Sequence, residues 1–156
     1  MLGARAELLA SRLNLHVSTT ADDIERLLRF CLVEAPYAPT VEELAGATGF
    51  SYRTLVRRLE ENGLPDPKHC LQLGQLLLLE DAQSCTGLST EEYSKWIGFA
   101  DERPLEAAAA HRVGSSVGQI NVPTDSTELV SFFRATAQRL RTPTAPATNP
   151  TAPDNP

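Results

Sequence analysis

The sequence predicts an all-α protein, and three observations carry that expectation. Apolar residues recur at the i, i+3, i+4 spacing of one buried helical face, and no run sustains an apolar/polar alternation. Helix formers dominate the composition. Capping residues and glycines bracket stretches of helix length, most clearly in TVEELAGATGFSYRTLVRRLEENG at 40–63. A hydrophobic share of 42% supplies a packed core, and 156 residues make one domain or two small ones.

The N-terminal segment 1–21 has a weak helical pattern in Leu2, Ala6, Leu9 and Leu13, which fits a short helix docked on the core or a frayed end. Over 18–36 the signal is clearer. Ser18, Thr19 or Thr20 can cap, Asp22, Asp23 and Glu25 suit the first turns, and Ile24, Leu27, Leu28, Cys31 and Leu32 form one apolar stripe. Pro36 and Pro39 end that helix.

Residues 40–63 read as two short helices joined by a tight turn. Val41, Leu44 and Ala45 face inward, and Gly49 breaks the run where a sharp turn needs positive φ. Ser51 caps the second helix, Leu55, Leu59 and Asn62 mark its inner side, and Gly63 stops it. Tyr52, Arg53, Thr54, Arg57 and Arg58 then point outward, although Tyr52 shares the side of Leu55 and Leu59 and can pack instead.

A long helix is expected over 64–87, capped by Asp66 with Pro67 in its first position. The run Leu76–Leu79 is apolar all round, which makes this helix central. Gly74 inside it implies a close helix contact, and Gly87 ends it. Residues 88–122 look like a second copy of the first hairpin: Leu88, Tyr93, Trp96 and Ile97 make a stripe, Ser89 or Thr90 caps, Gly98-Phe99 repeats Gly49-Phe50, and a helix spans about Asp101 to Val113 before Gly114. A last amphipathic helix lies within 123–141, with Asp125 or Ser126 as cap and Leu129, Phe132, Phe133 and Leu140 on its apolar side. The Thr/Pro/Ala/Asn tail 142–156 cannot bury enough surface to fold.

The net charge of −6 argues against strong nonspecific affinity for nucleic acid. Its distribution matters more than its sum. Residues 51–59 hold Arg53, Arg57 and Arg58 and no acid, whereas 89–114 set Glu91, Glu92, Asp101, Glu102 and Glu106 against Lys95, Arg103 and Arg112. Cys31, Cys70 and Cys85 are odd in number and widely spaced, so they read as core thiols in a reducing compartment. Leu8–Leu15 is too short and too interrupted for a signal or a membrane span, and a cytoplasmic location is expected. His16, His69 and His111 lack Cys or carboxylate neighbours at ligand spacing, so neither a metal nor a cofactor is expected. No paired acids, phosphate loop or Ser/His/Asp order points to an enzyme.

Two hairpins joined by one long helix resemble the DNA-binding domain of the AraC/XylS family of transcription regulators, over roughly residues 22–120. The likeness is best at LAGATGFSYRTLVRRLEENG, with its turn glycine, serine cap, Thr-Leu-x-Arg-Arg-Leu and closing glycine. Gly98-Phe99 with Asp101, Leu105 and Gly114 supplies the second signature. The resemblance implies a bipartite module whose second helices enter the major groove of double-stranded DNA, with no membrane role. The reading positions it implies are Ser51, Tyr52, Arg53, Thr54, Arg57 and Arg58 in the helix 51–61, with Arg103 and Arg112 in the second copy.

That second copy is degenerate. Leu105 and Ala109 stand where the family has an aromatic, Ala107 and Ala110 where it has basic residues, and Glu102 and Glu106 would face phosphate badly. Two functions therefore remain open at the level of sequence. One is a sequence-specific DNA-binding regulator. The other is a protein-interaction module on a worn DNA-binding fold, forming a homodimer or binding a partner through Phe132, Phe133 and Leu140 of the C-terminal helix.

Overall fold

The computed structural model describes residues 2–15 and 23–141. The expected caps at Ser18, Thr19 and Thr20, Asp22, His16 and the tail 142–156 lie outside the described residues. The chain is all-α, with no strand among the described residues. In order the helices are α1 (Leu2–Arg12), α2 (Asp23–Val33), α3 (Val41–Thr48), α4 (Tyr52–Glu61), α5 (Pro67–Thr86), α6 (Thr90–Trp96), α7 (Arg103–Ala108) and α8 (Ser126–Arg141). A 3₁₀ turn, Ala35–Tyr37, follows α2, and α7 runs on into a π-helical turn, Ala109–Val113.

The long helix α5 is the axis of the molecule. Asp66 caps it by accepting from the His69 amide at 2.9 Å, and Pro67 opens it. From Leu73 to Ala82 every residue is buried. A methyl group on Gly74 would lie 2.0 Å from the Cys31 carbonyl oxygen, so glycine here is what lets α2 approach. The core runs unbroken from Leu2 through Leu28, Leu44, Leu76 and Tyr93 to Phe133. Helix α1 is therefore a docked helix, burying Leu2, Ala6, Leu9 and Ala10.

Charge also fastens elements to α5. Asp81, only 4% exposed, receives the guanidinium groups of Arg5 and Arg12 from α1. Its neighbour Glu80 accepts from the Gly118 amide and holds the segment leading into α8. Tyr93, fully buried in α6, donates its hydroxyl to the Gln75 carbonyl at 2.9 Å. Cys31 and Cys70 are core thiols whose pKa burial pushes up. Cys85 departs from the core expectation: it is exposed, in the last turn of α5.

The two stretches share local backbone features. Thr40 and Glu43 form a reciprocal capping box at the start of α3, and Ser89 and Glu92 form the same box at the start of α6. The Phe50 amide donates to the Ala45 carbonyl at 3.1 Å, and the Phe99 amide donates to the Ser94 carbonyl at 2.8 Å. Each pair is offset by the same number of residues. Past the turns the copies slip.

In the first copy only Gly49, Phe50 and Ser51 separate the helices; in the second, Ile97–Glu102 do. The second helix of the repeat thus begins at Arg103, not at Asp101 as the spacing suggested. Asp101 instead accepts from the Arg103 amide at 2.9 Å. Leu55 and Leu105 now correspond, one residue further on. The π turn absorbs another residue, with the Gly114 amide reaching back to the Ala109 carbonyl at 2.9 Å, so that Gly63 and Gly114 close the two copies.

Candidate nucleic-acid interface

The first turn of α4 is built by its cap. Ser51 Oγ accepts from the Thr54 amide at 3.2 Å and lies 3.0 Å from Thr54 Oγ1. Both side chains are thereby committed to starting the helix, although Ser51 stays exposed. Leu55 and Leu59 are fully buried and fix the rotation of α4 about its own axis. What that rotation presents to solvent is Tyr52, Arg53 and Arg57. Tyr52 is 60% exposed and does not pack beside Leu55 and Leu59. Arg53 makes no ion pair among the described residues, and Arg57 meets Glu61 only at 3.9 Å with its side chain 65% exposed.

Arg58 behaves differently. Its guanidinium binds the Asp23 carboxylate at the start of α2 and lies 5.6 Å from the centre of the Phe50 ring. The side chain is half-buried, and its Nε is enclosed without a hydrogen-bond partner. The Arg58 hydrogen bond, helped by Arg26, holds the Asp23 carboxyl below its usual range against a smaller opposing effect of burial. Arg58 is thus a tie between α2, the turn and α4. The carboxylate that holds Arg58 stands 35 residues upstream in the chain.

The second copy offers a different surface. Arg103 corresponds to Arg53, but its guanidinium is folded back on Asp101, with Nη2 at 2.6 Å and Nε at 3.1 Å. That contact lowers the Asp101 pKa and raises that of Arg103. Ala107 and Ala108 stand where Arg57 and Arg58 stand in the first copy. Arg112 lies in the π turn, half-buried, its Nε enclosed and without a hydrogen-bond partner. Glu106 and His111 are exposed. On the first copy Arg53 and Arg57 are thus exposed, Arg57 reaching Glu61 only at 3.9 Å, while on the second Arg103 is tied to Asp101 and Arg112 is half-buried.

The apolar face of α8 is largely internal. Leu129 and Phe133 are fully buried, Ala137 is 2% exposed, Phe132 packs partly buried against the core, and Leu140 is 39% exposed. Phe133 is accordingly a core residue and is not open to a partner. Among the described residues no group of three His, Cys, Asp or Glu is placed to hold a metal, and no helix is long and apolar enough to cross a membrane. Compared with models of protein families, with curated proteins and with solved structures, the chain matches none.

Proposed function

We propose that this chain is a sequence-specific DNA-binding transcription regulator of AraC/XylS type, acting in the cytoplasm without catalysis, and that α4 is its major-groove reader. The observation that carries the reading is the exposed set Tyr52, Arg53 and Arg57 on the first two turns of a capped helix whose rotation is fixed by Leu55 and Leu59. A major groove accepts one helix, and arginine reads guanine through a bidentate pair. Arg58 serves the reader by holding it to α2, and Thr54 and Ser51 by capping it. Arg103 and Arg112 reach phosphate at most, since Asp101 holds the first and the second is half-buried.

The test is retention of promoter-derived fragments at low salt by wild type and by an Arg53→Ala/Arg57→Ala chain. Each lost base contact should cost about 1–3 kcal/mol, so the variant should retain DNA far more weakly. Equal retention of the two chains sinks the proposal. The acidic, alanine-rich second copy favours the other reading, a protein-interaction module, and that reading gains ground if neither chain binds DNA.

A further inference from the structure

Helix α8 follows both hairpins, and its two interior arginines reach the end of each. Arg134 Nε donates to the Asn62 carbonyl at 2.9 Å, the residue that closes α4. A methyl group on the neighbouring Gly63 would sit 3.8 Å from Arg134 Cγ. Arg139 lies over Gly114, the residue that closes the π turn: a methyl group there would meet its Cζ at 2.6 Å and its two Nη atoms at 2.8 and 2.9 Å. Gly63 and Gly114 close the two copies of the repeat. Five residues along a helix turn through about 140°, so Arg134 and Arg139 flank the buried stripe Leu129, Phe133 and Ala137 on opposite sides.

We infer that α8 is a brace that sets how the two hairpins sit relative to one another, with Arg134 and Arg139 as positioning residues that act on helix ends. The physical basis is simple. The last carbonyls of a helix lack intrahelical donors and carry partial negative charge, and a guanidinium placed there satisfies and attracts them. Arg134 does this by bonding the Asn62 carbonyl, Arg139 lays its guanidinium over Gly114, and one rigid helix carrying both contacts fixes the separation of the two ends. The brace is itself pinned: Asp125 accepts from the Glu128 amide at 2.8 Å, Glu128 accepts from the Thr124 amide at 2.8 Å, and Glu80 holds Gly118 just upstream. Its effect on affinity rests on the DNA-binding reading; its effect on geometry does not.

The experiment places nitroxide labels at Glu60→Cys and Glu106→Cys, both exposed, in the full chain with Cys85→Ser, and measures the label separation by electron–electron resonance. Arg134→Met/Arg139→Met should broaden or shift the distribution, and Lys at both positions should restore most of it. DNA affinity should fall about fivefold, the cost of ordering a loosened reader, with an unchanged slope of log K against log salt. A slope lower by about 1–2 would make the arginines phosphate contacts and overturn the brace. An unchanged distance distribution overturns it whatever the DNA result, and a chain that binds no DNA leaves the distance readout fully decisive. Should the double variant unfold, amide exchange in the single variants decides. Arg134→Met should speed exchange at Leu64 and spare Ser115, Arg139→Met should do the reverse, and uniform acceleration in both overturns the inference.

Discussion

Arg53, Arg57 and Arg58 lie within six positions of one helix and do different work. Only Arg58 has a buried side and a carboxylate from another helix, and it alone contacts an aromatic ring. Arg58→Ala should therefore cost about 1 kcal/mol of stability, from the lost Asp23 pair and the cation–π contact together. Arg53→Ala should stay within about 0.5 kcal/mol, as surface changes do. Chemical denaturation of the two variants checks this, and the order should reverse for DNA binding at matched fractions folded. That division was not legible in the sequence. The spacing put all three arginines on the outward side, which holds for Arg53 and Arg57. It could not supply Asp23, because a contact between residues far apart in the chain leaves no mark in local periodicity. The same limit hid Glu80 and Asp81: two acids inside an apolar helix gain their meaning only from Gly118, Arg5 and Arg12.

At the level of elements, the legible features were local and chemically forced. Asp66-Pro67, Ser51 and Ser89 cap the helices the spacing assigned to them, because a cap is a bond between neighbours in sequence. Gly74 was readable as a close approach, and the Cys31 carbonyl is the group that approaches. Gly74→Ala should lower stability by about 3 kcal/mol, since backbone rather than a side-chain tip must yield. A loss below about 1 kcal/mol in urea denaturation would mean that α2 and α5 can slide apart. The recurring cap and turn of residues 89–99 were legible, but the slip that follows them was not. One extra residue before α7 and one in the π turn change which side chains face out. That shift sets Ala107 against Arg57 and leaves Arg103 within reach of Asp101.

Across the whole molecule, two carboxylates pull the pH dependence of stability in opposite directions. Asp23 titrates below its usual range, so its contribution is present above the unfolded value and is lost as pH falls through the folded one. Glu80 is pushed up by burial, with the amides of Gly118 and Ile120 drawing it partly back. Its contribution is full below the unfolded value and lost as pH rises through the raised one. Glu80→Gln keeps an acceptor for Gly118 and removes the buried charge. The variant should melt at or above wild type at pH 7, and the difference should shrink toward about pH 4. A lower melting point at neutral pH would mean that the carboxylate's bonds to the Gly118 segment outweigh its desolvation.

The fold gathers both copies around α5 in one core, yet it leaves Arg53 and Arg57 exposed on the first, Arg57 reaching Glu61 only at 3.9 Å, while on the second Arg103 is folded onto Asp101 and Arg112 is half-buried. Hydroxyl-radical and methylation-interference footprinting of a selected DNA site is the most direct test of that asymmetry. Expected is a single protected major-groove segment of about four base pairs, lost in the Arg53→Ala/Arg57→Ala chain. Two equally protected segments one helical turn apart, or protection that survives the loss of both arginines, would contradict it.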